Sequence, residues 1–283
     1  MAALIFLGVL VLVAIFAPVV VQIFGAPGPN VRDEGALDSF GTPTGPSAAH
    51  IFGVDSLGRD VFSRVVYGAR VSLLVAFVAT GLATFVGVIA GLLAGYLRGW
   101  VDVAVSRSVD VLLAIPYLLL ATGLAASCAI GDGCVGGLLK PGLGVVIFVI
   151  AVTTWPPIAR IVRGQTLSLR EREFVESARS VGASNPRIIF SEILPNLVGP
   201  IVVYASILIP QVILYEAALS FLGVGIQPPT ASWGQMLSDA TEIFNTAWWY
   251  MLYPGLALVL TVLAFNLVGD ALQDALNPKA GRK

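Results

Sequence analysis

Few side chains in this sequence could carry out chemistry, and three carboxylates stand out because they lie within or beside long apolar runs. They are Asp110, Glu216 and Asp270. A carboxylate inside a membrane is a candidate functional group, because burying a charge in lipid is costly. Two aspartates that share a proton would make an intramembrane aspartyl protease, with Asp110 and Asp270 as the pair. Both lie near the ends of their runs, however, and this favours positions at the membrane surface.

Glu216 lies deeper in its apolar run, which also contains Pro200 and Pro210. Two interpretations of this carboxylate are open. It could line a translocation path and meet an amino group, or it could accept hydrogen bonds from a neighbouring helix. The residue types alone do not choose between the two.

Sulfur and imidazole groups are scarce, with two cysteines and one histidine in the chain. Cys128 and Cys134 share the short segment "CAIGDGC", in which the glycines allow a tight ring. The pair predicts a disulfide in an oxidising compartment. We expect no metal site, because so few ligands are present. ATP binding by this chain is not expected either, since the phosphate-binding patterns GxxxxGKS and GxxxxGKT do not occur.

The composition indicates an integral membrane protein. Of the 283 residues, 57% are hydrophobic and only 12% are charged, and the mean hydropathy is +0.89. Soluble domains carry about 25% charged residues, so this chain has too few to cover a surface in water. A net charge of -1 argues against a nucleic-acid partner, since binding to phosphates requires a basic surface.

Six apolar runs predict six transmembrane helices, since a helix that crosses a bilayer needs roughly 20 mostly apolar residues. The first run lacks a basic start and an obvious cleavage site, which favours a retained span over a signal peptide. The predicted spans are Leu4–Phe24, Val71–Leu97, Ala104–Ala126, Gly142–Ile158, Leu197–Leu222 and Ala247–Val268.

The distribution of lysine and arginine predicts the orientation, because these residues collect in cytoplasmic loops. With the N-terminus inside, eleven of the sixteen basic residues fall in inner segments and five in outer segments. Both termini are therefore predicted to be cytoplasmic. The chain divides into a first span with an extracytoplasmic segment (residues 1–70), a membrane domain of five helices (71–270) and a cytoplasmic tail (271–283).

A charged loop at about residues 160–195, which we call the polar loop, separates the fourth and fifth apolar runs. Its core reads "EFVESARSVGASNPRIIFSEILPN" (Glu173–Asn196). The positive-inside rule explains its arginines, but not its two apolar helix faces. Those faces need a partner, either the spans of this chain or another protein. The first face consists of Phe174, Val175 and Ala178, and the second of Ile188, Ile189 and Ile193.

Two short helices that meet at a glycine are predicted within the polar loop. Ser168 and Glu171 have the spacing of a capping box, which predicts the start of the first helix. Gly182 is placed to end that helix. Asn185 followed by Pro186 predicts the cap and the first position of the second helix.

Two further spacings predict contacts. Gly87, Gly91 and Gly95 recur every four residues in the second span. Such a face allows another helix to approach closely, either from the same chain or from a partner subunit. Asp60 and Arg64 lie four residues apart and would pair on a helix, but we favour a solvated, amphipathic approach to the second span.

The polar loop resembles the EAA motif of ABC importer permeases. In that motif Glu-Ala-Ala is followed after three residues by Gly, and after nine more by Ile-x-Leu-Pro. Ser177 stands where the motif has alanine, and Glu192 stands where an apolar residue or histidine is usual. The residues that match the motif's positions are Glu176, Ser177, Ala178, Gly182, Leu194 and Pro195.

The similarity extends over nearly the whole chain from His50 onward. Several long segments, in order, resemble the C-type permease subunit of dipeptide, oligopeptide and nickel importers. The basic leader common in that family does not precede the first span here. The similar segments are His50–Val75, Ala94–Asp102 ("AGYLRGWVD"), Leu167–Ser184, Glu216–Leu237 and Pro254–Pro278.

The resemblance implies the type I ABC importer permease fold, in which six transmembrane helices carry a cytoplasmic coupling helix-turn-helix. It implies a homologous second permease subunit, two cytoplasmic ATPase subunits or a fused pair, and an extracytoplasmic substrate-binding protein. The residues that match the EAA motif would contact an ATPase. ATP and Mg²⁺ would be bound by the ATPases, while this chain would hold no cofactor and catalyse no reaction.

The implied function is import of di- or oligopeptides across the prokaryotic cell membrane, with nickel as the alternative substrate. A secondary transporter that acts alone is a further alternative. It would show inverted repeats or charged groups in the middle of its spans, and we find no convincing repeat.

Overall fold

The computed structural model describes residues 1–129, 133, 134, 136–139 and 141–276. Four basic residues used for the orientation lie outside this part, namely Lys140, Lys279, Arg282 and Lys283, as does most of the predicted tail. A 3-10 turn at Glu34–Ala36 and a π-helical turn at Ile188–Ile193 accompany the α-helices. The α-helices of the described residues are α1 (Ala2–Ile15), α2 (Ala17–Ile23), α3 (Val61–Leu97), α4 (Gly99–Ala114), α5 (Tyr117–Ala129), α6 (Leu143–Arg170), α7 (Glu173–Ser180), α8 (Asn185–Arg187), α9 (Leu194–Phe221), α10 (Trp233–Ala240) and α11 (Trp248–Leu276).

Each of the six predicted spans corresponds to one long helix or to one bent pair. Helices α3, α6 and α11, and the continuous helix from α8 to α9, are long and apolar enough to cross a membrane. The pairs α1–α2 and α4–α5 are bent by 89° and 95°. α3 begins at Val61 and α6 ends at Arg170, well outside the predicted spans, because both helices continue into polar sequence beyond the apolar run.

Both bends occur where a proline interrupts the helix. Pro18 lies in the first turn of α2, and it has no N–H to donate to the carbonyl of Ala14. Ile115, directly before Pro116, has an extended backbone with φ -95° and ψ 131°. Proline disfavours the helical conformation in the preceding residue, so α4 ends there and α5 starts in a new direction.

The glycine stripe of α3 packs against α6 of the same chain. A Cβ atom at Gly91 would lie 2.7 Å from both the carbonyl oxygen of Ala159 and the Cβ of Val162. Added Cβ atoms at Gly87 and Gly95 would meet α6 equally closely. The stripe therefore brings two helices of one subunit into backbone contact, which is the first of the two alternatives predicted from its spacing.

Replacing Gly91 with alanine should destabilise the protein. The new methyl group has no room against Ala159 and Val162, and overpacking of this kind costs about 1–3 kcal/mol. Thermal unfolding of the detergent-purified protein should occur at a lower temperature. Gly81→Ala on the same helix is the matched control, because a Cβ there would meet nothing within 4 Å. Equal melting temperatures for the two variants would contradict the predicted clash.

The segment of residues 25–60, which we call the cap segment, covers the end of α3 that is opposite the polar loop. Trp249 at the start of α11 donates its indole N–H to the carbonyl of Val54 at 3.0 Å. The imidazole of His50 lies between two carboxylates, with Nδ1 2.9 Å from Asp60 and Nε2 3.3 Å from Asp33. The cap segment is thus held by polar contacts to the helix ends as well as by packing.

The prediction that Asp60 and Arg64 lie on a solvated helix is wrong, because both are 0% exposed. Asp60 caps α3 by accepting a hydrogen bond from the backbone N–H of Ser63 at 2.7 Å. Arg64 pairs with Asp55 of the cap segment, with Nε and Oδ2 3.5 Å apart. A buried charge needs an opposite charge or hydrogen bonds, and the cap segment supplies them.

Candidate functional site

The polar loop begins where α6 ends. α6 continues to Arg170 with Glu171 as its C-cap residue, so Ser168 lies inside α6 and the predicted capping box is wrong. α7 starts at Glu173 with Arg172 at the N-cap position and no side-chain cap. The two helices are separated by a single tight turn, in which the N–H of Arg172 donates to the carbonyl of Leu169 at 3.0 Å.

The prediction that Gly182 ends the first helix of the loop is confirmed. Its φ angle is +83°, a left-handed conformation that side chains disfavour. The N–H of Gly182 donates to the carbonyl of Arg179, and the N–H of Ala183 donates to that of Ala178, each at 3.0 Å. This is the Schellman arrangement, and it fixes the angle at which the chain leaves α7.

The second helix of the loop is not a separate short helix. Its N-cap residue is Ser184, not Asn185 as predicted. From α8 it continues through the π-helical turn Ile188–Ile193 into α9, so that Asn185–Phe221 is one helix of 37 residues. Any movement of the loop at this point must therefore move the end of a membrane span.

The predicted apolar faces pack mostly within the chain. Val175, Ile188 and Ile193 are each 0% exposed and belong to the main hydrophobic core. Phe174 remains 37% exposed. The loop is therefore fixed to the spans, and its outer surface presents mainly polar groups.

The residues that match the EAA motif are distributed over this outer surface. Glu176, Ser177 and Gly182 are exposed on or just after α7. Ala178 is half-buried against the core. At the start of α9, Leu194 is half-buried and Pro195 is exposed. Of the residues that match the motif, those on α7 and at Gly182 are thus the most accessible, and their contact with an ATPase stays a prediction.

Contacts from the end of α3 and from Arg98, which lies between α3 and α4, hold the loop in place and were not predicted from the sequence. The hydroxyl of Tyr96 donates to the side-chain oxygen of Asn185 at 2.9 Å. Arg170 donates to the carbonyl of Tyr96 and stacks over its ring at 5.5 Å. Arg98 pairs with Glu171. Tyr96 and Arg98 belong to the segment "AGYLRGWVD", whose similarity to importer permeases was the sign in the sequence that these residues have a role.

Glu216 is fully buried between α9 and α3. Its two carboxylate oxygens accept hydrogen bonds from the hydroxyl groups of Ser72 at 2.9 Å and Ser220 at 2.8 Å. The Ser220 oxygen in turn accepts from the backbone N–H of Ile226. This geometry favours the second interpretation of Glu216, contact with a neighbouring helix, and speaks against a position in a path.

The two aspartates considered as a protease pair have different surroundings. Asp110 accepts a hydrogen bond from Arg160 at 2.7 Å, and both side chains are about half exposed. Asp270 is exposed near the end of α11. A shared proton requires the two carboxylates to contact each other, whereas the Asp110 carboxylate is engaged with an arginine.

Cys128 and Cys134 are joined as a disulfide, with their Cα atoms 4.6 Å apart. The bridge closes a short loop that extends from the end of α5. Its oxidation in the cell stays a prediction, since it depends on which side of the membrane this loop faces.

Residues 87–282 match the family described as "Binding-protein-dependent transport system inner membrane component". The match covers more than half of the chain. The chain belongs to this family. It is accordingly a multi-pass inner-membrane component, and the resemblance to ABC importer permeases inferred from its motifs is confirmed.

Two relatives illustrate the similarity. The dipeptide transport system permease protein DppC of Alkalihalophilus pseudofirmus is 42% identical over 270 residues, which are 95% of this chain and 82% of that protein. The glutathione transport system permease protein GsiD of Salmonella typhimurium is 51% identical over 235 residues, which are 83% of this chain and 74% of that protein.

Solved structures show the same fold at low sequence identity. A MetNI methionine ABC transporter in an inward-facing conformation aligns with a TM-score of 0.60 at 24% identity, over 76% of this chain and 96% of the other. An amino acid ABC transporter with histidines aligns with a TM-score of 0.57 at 14% identity, over 76% and 94% of the two chains. The all-α permease fold of type I importers is therefore confirmed.

Family membership also decides between the alternatives raised by the sequence. An inner-membrane component of a binding-protein-dependent system works within a larger transport assembly, which argues against a secondary transporter that acts alone. It argues equally against a protease built on Asp110 and Asp270, in agreement with the ion pair of Asp110.

Proposed function

We propose that this chain is a permease subunit of an ATP-driven importer that moves di- or oligopeptides into the cell. The observation that carries the proposal is the polar loop, which presents Glu176 and Gly182 on an exposed surface while its apolar faces anchor it to the spans. The substrate class follows from the relatives, which are named for transport of dipeptides and of glutathione, itself a small peptide.

The partners are a homologous second permease subunit, a pair of ATPases and a substrate-binding protein. ATP and Mg²⁺ are bound by the ATPases, since this sequence lacks a phosphate-binding glycine pattern. An ATPase would contact the exposed side of α7 and of the turn at Gly182. Glu176 would pair there with a basic residue of the ATPase.

The geometry supplies a physical route from such a contact to the membrane. The loop is continuous with α9 through Ile188–Ile193. It follows directly from α6, and the hydrogen bond from Tyr96 to Asn185 ties it to the end of α3. A rigid displacement of the loop would thus tilt three packed helices together, which is how closure of the ATPases would open or close the path.

We propose in addition that the polar loop and both termini lie in the cytoplasm, on the basis of the distribution of basic residues. Ser184 is exposed in the loop, and Asn245 is exposed between α10 and α11. A maleimide that cannot cross membranes should label Ser184→Cys only after permeabilisation, and Asn245→Cys in intact spheroplasts. Cys128→Ser/Cys134→Ser serves as the background. The reverse labelling pattern would overturn the orientation and the ATPase contact with it.

The function itself is tested by transport. The chain, purified with its companion permease and ATPases and reconstituted with the binding protein, should take up labelled dipeptide only when ATP is present. Glutathione and Ni²⁺ are run in parallel. Uptake of Ni²⁺ without uptake of dipeptide or glutathione would show that the metal is the substrate. Uptake that is driven by an ion gradient without ATP would refute the proposal.

A further inference from the structure

A cavity of about 260 Å³ lies where the broken span α4–α5 packs against α6 and α9. It is next to the break at Ile115 and Pro116. On the opposite wall are Thr153 and Thr154, close to the middle of α6, and Gln211 in the second half of α9. The cavity is thus far from both ends of the long helices.

The cavity has a largely apolar lining that is interrupted by uncharged polar side chains. Tyr117, Tyr204 and Tyr215 line it, and the rings of Tyr117 and Tyr215 stack with centroids 3.7 Å apart. The Tyr117 hydroxyl is buried, and no described residue is its hydrogen-bond partner. Among the described residues that line the cavity, none carries a formal charge.

The backbone around the cavity adds hydrogen-bond acceptors. Ending α4 at Ala114 leaves the carbonyl groups of its last turn without helical donors. Pro157 removes the donor for the carbonyl of Thr153 in the same way. Irregular backbone at membrane depth is tolerated only where it is covered by protein or lines a space that contains water.

Gln211 shows that this side of the cavity is not turned toward lipid. Its side chain is exposed, although it lies well inside a helix that is long and apolar enough to cross a membrane. An amide that faced lipid would cost several kcal/mol, so this side of α9 should face water or protein. Ile209, two residues earlier, lines an apolar groove between α3 and α9 on another side of the helix.

Next to this cavity, α4 and α6 carry charged groups. A second cavity of about 210 Å³ is lined by Asp110 of α4 and Arg160 of α6, next to the ion pair of Asp102 with Arg163. These residues lie toward the polar loop. On α6 the surface thus changes from the uncharged hydroxyl of Thr154 to the charged Arg160 within about two helical turns.

We propose that the tyrosine-lined cavity is a segment of the translocation path that takes the uncharged amide groups of a peptide. The tyrosine hydroxyls, the Gln211 amide and the carbonyl groups without helical donors match the acceptors and donors of a peptide backbone. Contacts of this kind do not distinguish one peptide side chain from another. Ligand pockets for whole small molecules measure about 300–1,000 Å³, so this cavity suits one residue at a time. The inference rests on the proposed function, because it names the part of the path where that substrate passes.

Cysteine accessibility tests the position of the path. In a Cys128→Ser/Cys134→Ser background, Gln211→Cys in nanodisc-embedded complex should react with a small, water-soluble methanethiosulfonate at least ten-fold faster than Ile209→Cys. A thiol must ionise to react and does so poorly in an apolar groove. Modified Gln211→Cys complex in proteoliposomes should then lose most of its dipeptide uptake, while Ile209→Cys complex treated in the same way should keep it.

Three results would overturn the cavity assignment: equal labelling of both variants, no labelling of Gln211→Cys, or normal uptake after complete modification. Tyr204→Cys, which lies two turns earlier on the same side of α9, replaces Gln211→Cys if that variant does not accumulate. The labelling contrast requires no known substrate. Faster labelling of Gln211→Cys together with no peptide uptake by unmodified complex would therefore refute the proposed peptide substrate, and the position of the path would stand.

Discussion

Asp55→Asn should leave little folded protein in the membrane. The Asp55 carboxylate is 0% exposed, and it accepts a hydrogen bond from Arg59 Nε at 2.7 Å and lies 3.5 Å from Arg64 Nε. Arg64 is also fully buried, and two of its nitrogen atoms have no hydrogen-bond partner among the described residues. The carboxylate is therefore the principal charge that compensates two guanidinium groups.

Removing one member of a buried charge cluster costs about 3–5 kcal/mol, because the remaining charge is left uncompensated. Asparagine keeps the shape of the side chain and can still accept at one oxygen, as Asp55 Oδ1 does from the backbone N–H groups of Leu57 and Arg59. The loss would come from the missing charge and from the hydrogen bond that Arg59 Nε donates to the other oxygen. We expect a large decrease in the monodisperse fraction on size-exclusion chromatography and in the melting temperature in detergent.

Asp38→Asn is the matched control for this prediction. Asp38 lies in the same cap segment and accepts backbone hydrogen bonds from Phe40 at 2.8 Å and Thr42 at 2.7 Å, but it is exposed. These bonds hold the pKa of Asp38 below its usual value. Because the Asp38 carboxylate is in contact with water, losing its charge should cost little, and Asp38→Asn should stay close to the native protein. A second variant, Asp55→Asn with Arg64→Met, should lose less than the sum of its parts, and additive losses would show that the two residues do not interact.

Membrane spans could be predicted from the sequence because each depends on a local property, a run of apolar residues long enough to cross the bilayer. The ends of the helices depend on more than that. α3 starts at Val61 because the cap segment buries its first polar turns, and α6 reaches Arg170 because the polar loop packs beneath it. Neither partner is visible in a window of 20 residues.

Charged partners were predicted less well, since they come from distant parts of the chain. A spacing of four residues suggested a pair of Asp60 and Arg64. In the structure Asp60 contacts His50, and Arg64 pairs with Asp55, both in the cap segment. The same holds for the cavity at Pro116. The proline was visible in the sequence, but which side chains would meet at the break was not.

The polar loop shows both outcomes within one segment. Gly182 was predicted correctly because a left-handed C-cap has a strong residue preference. The predicted starts of the two helices, in contrast, were wrong. Serine, asparagine and glutamate are common in helices as well as at caps, so Ser168 could be absorbed into α6, and Ser184 could take the cap position instead of Asn185.

Gly182→Val should leave the protein in the membrane but disconnect transport from ATP hydrolysis. A Cβ at this position would meet nothing within 4 Å, so the substitution creates no clash. Its cost is the left-handed conformation at φ +83°, roughly 1 kcal/mol for alanine and more for a branched side chain. That cost is small for a fold held by six packed spans, but the chain can avoid it by changing the angle after α7.

The angle is what a partner ATPase would detect. Gly182→Asn is the matched control, because asparagine adds a side chain of similar size and tolerates the left-handed conformation. We expect Gly182→Val to lose most peptide-stimulated ATPase activity and uptake, Gly182→Asn to keep most of both, and Glu176→Ala to show a milder loss than Gly182→Val. Glu173→Ala, on the same exposed helix, controls for the removal of a negative charge.

Membrane level, ATPase co-purification and stimulated activity in the reconstituted complex distinguish the explanations. Normal coupling in Gly182→Val would mean that the turn does not hold the ATPase. Equal losses in Gly182→Val and Gly182→Asn would assign the effect to the added side chain instead of the backbone. Disappearance of Gly182→Val from the membrane would mean that the polar loop serves mainly to fold against its own spans, as the burial of Val175, Ile188 and Ile193 already permits.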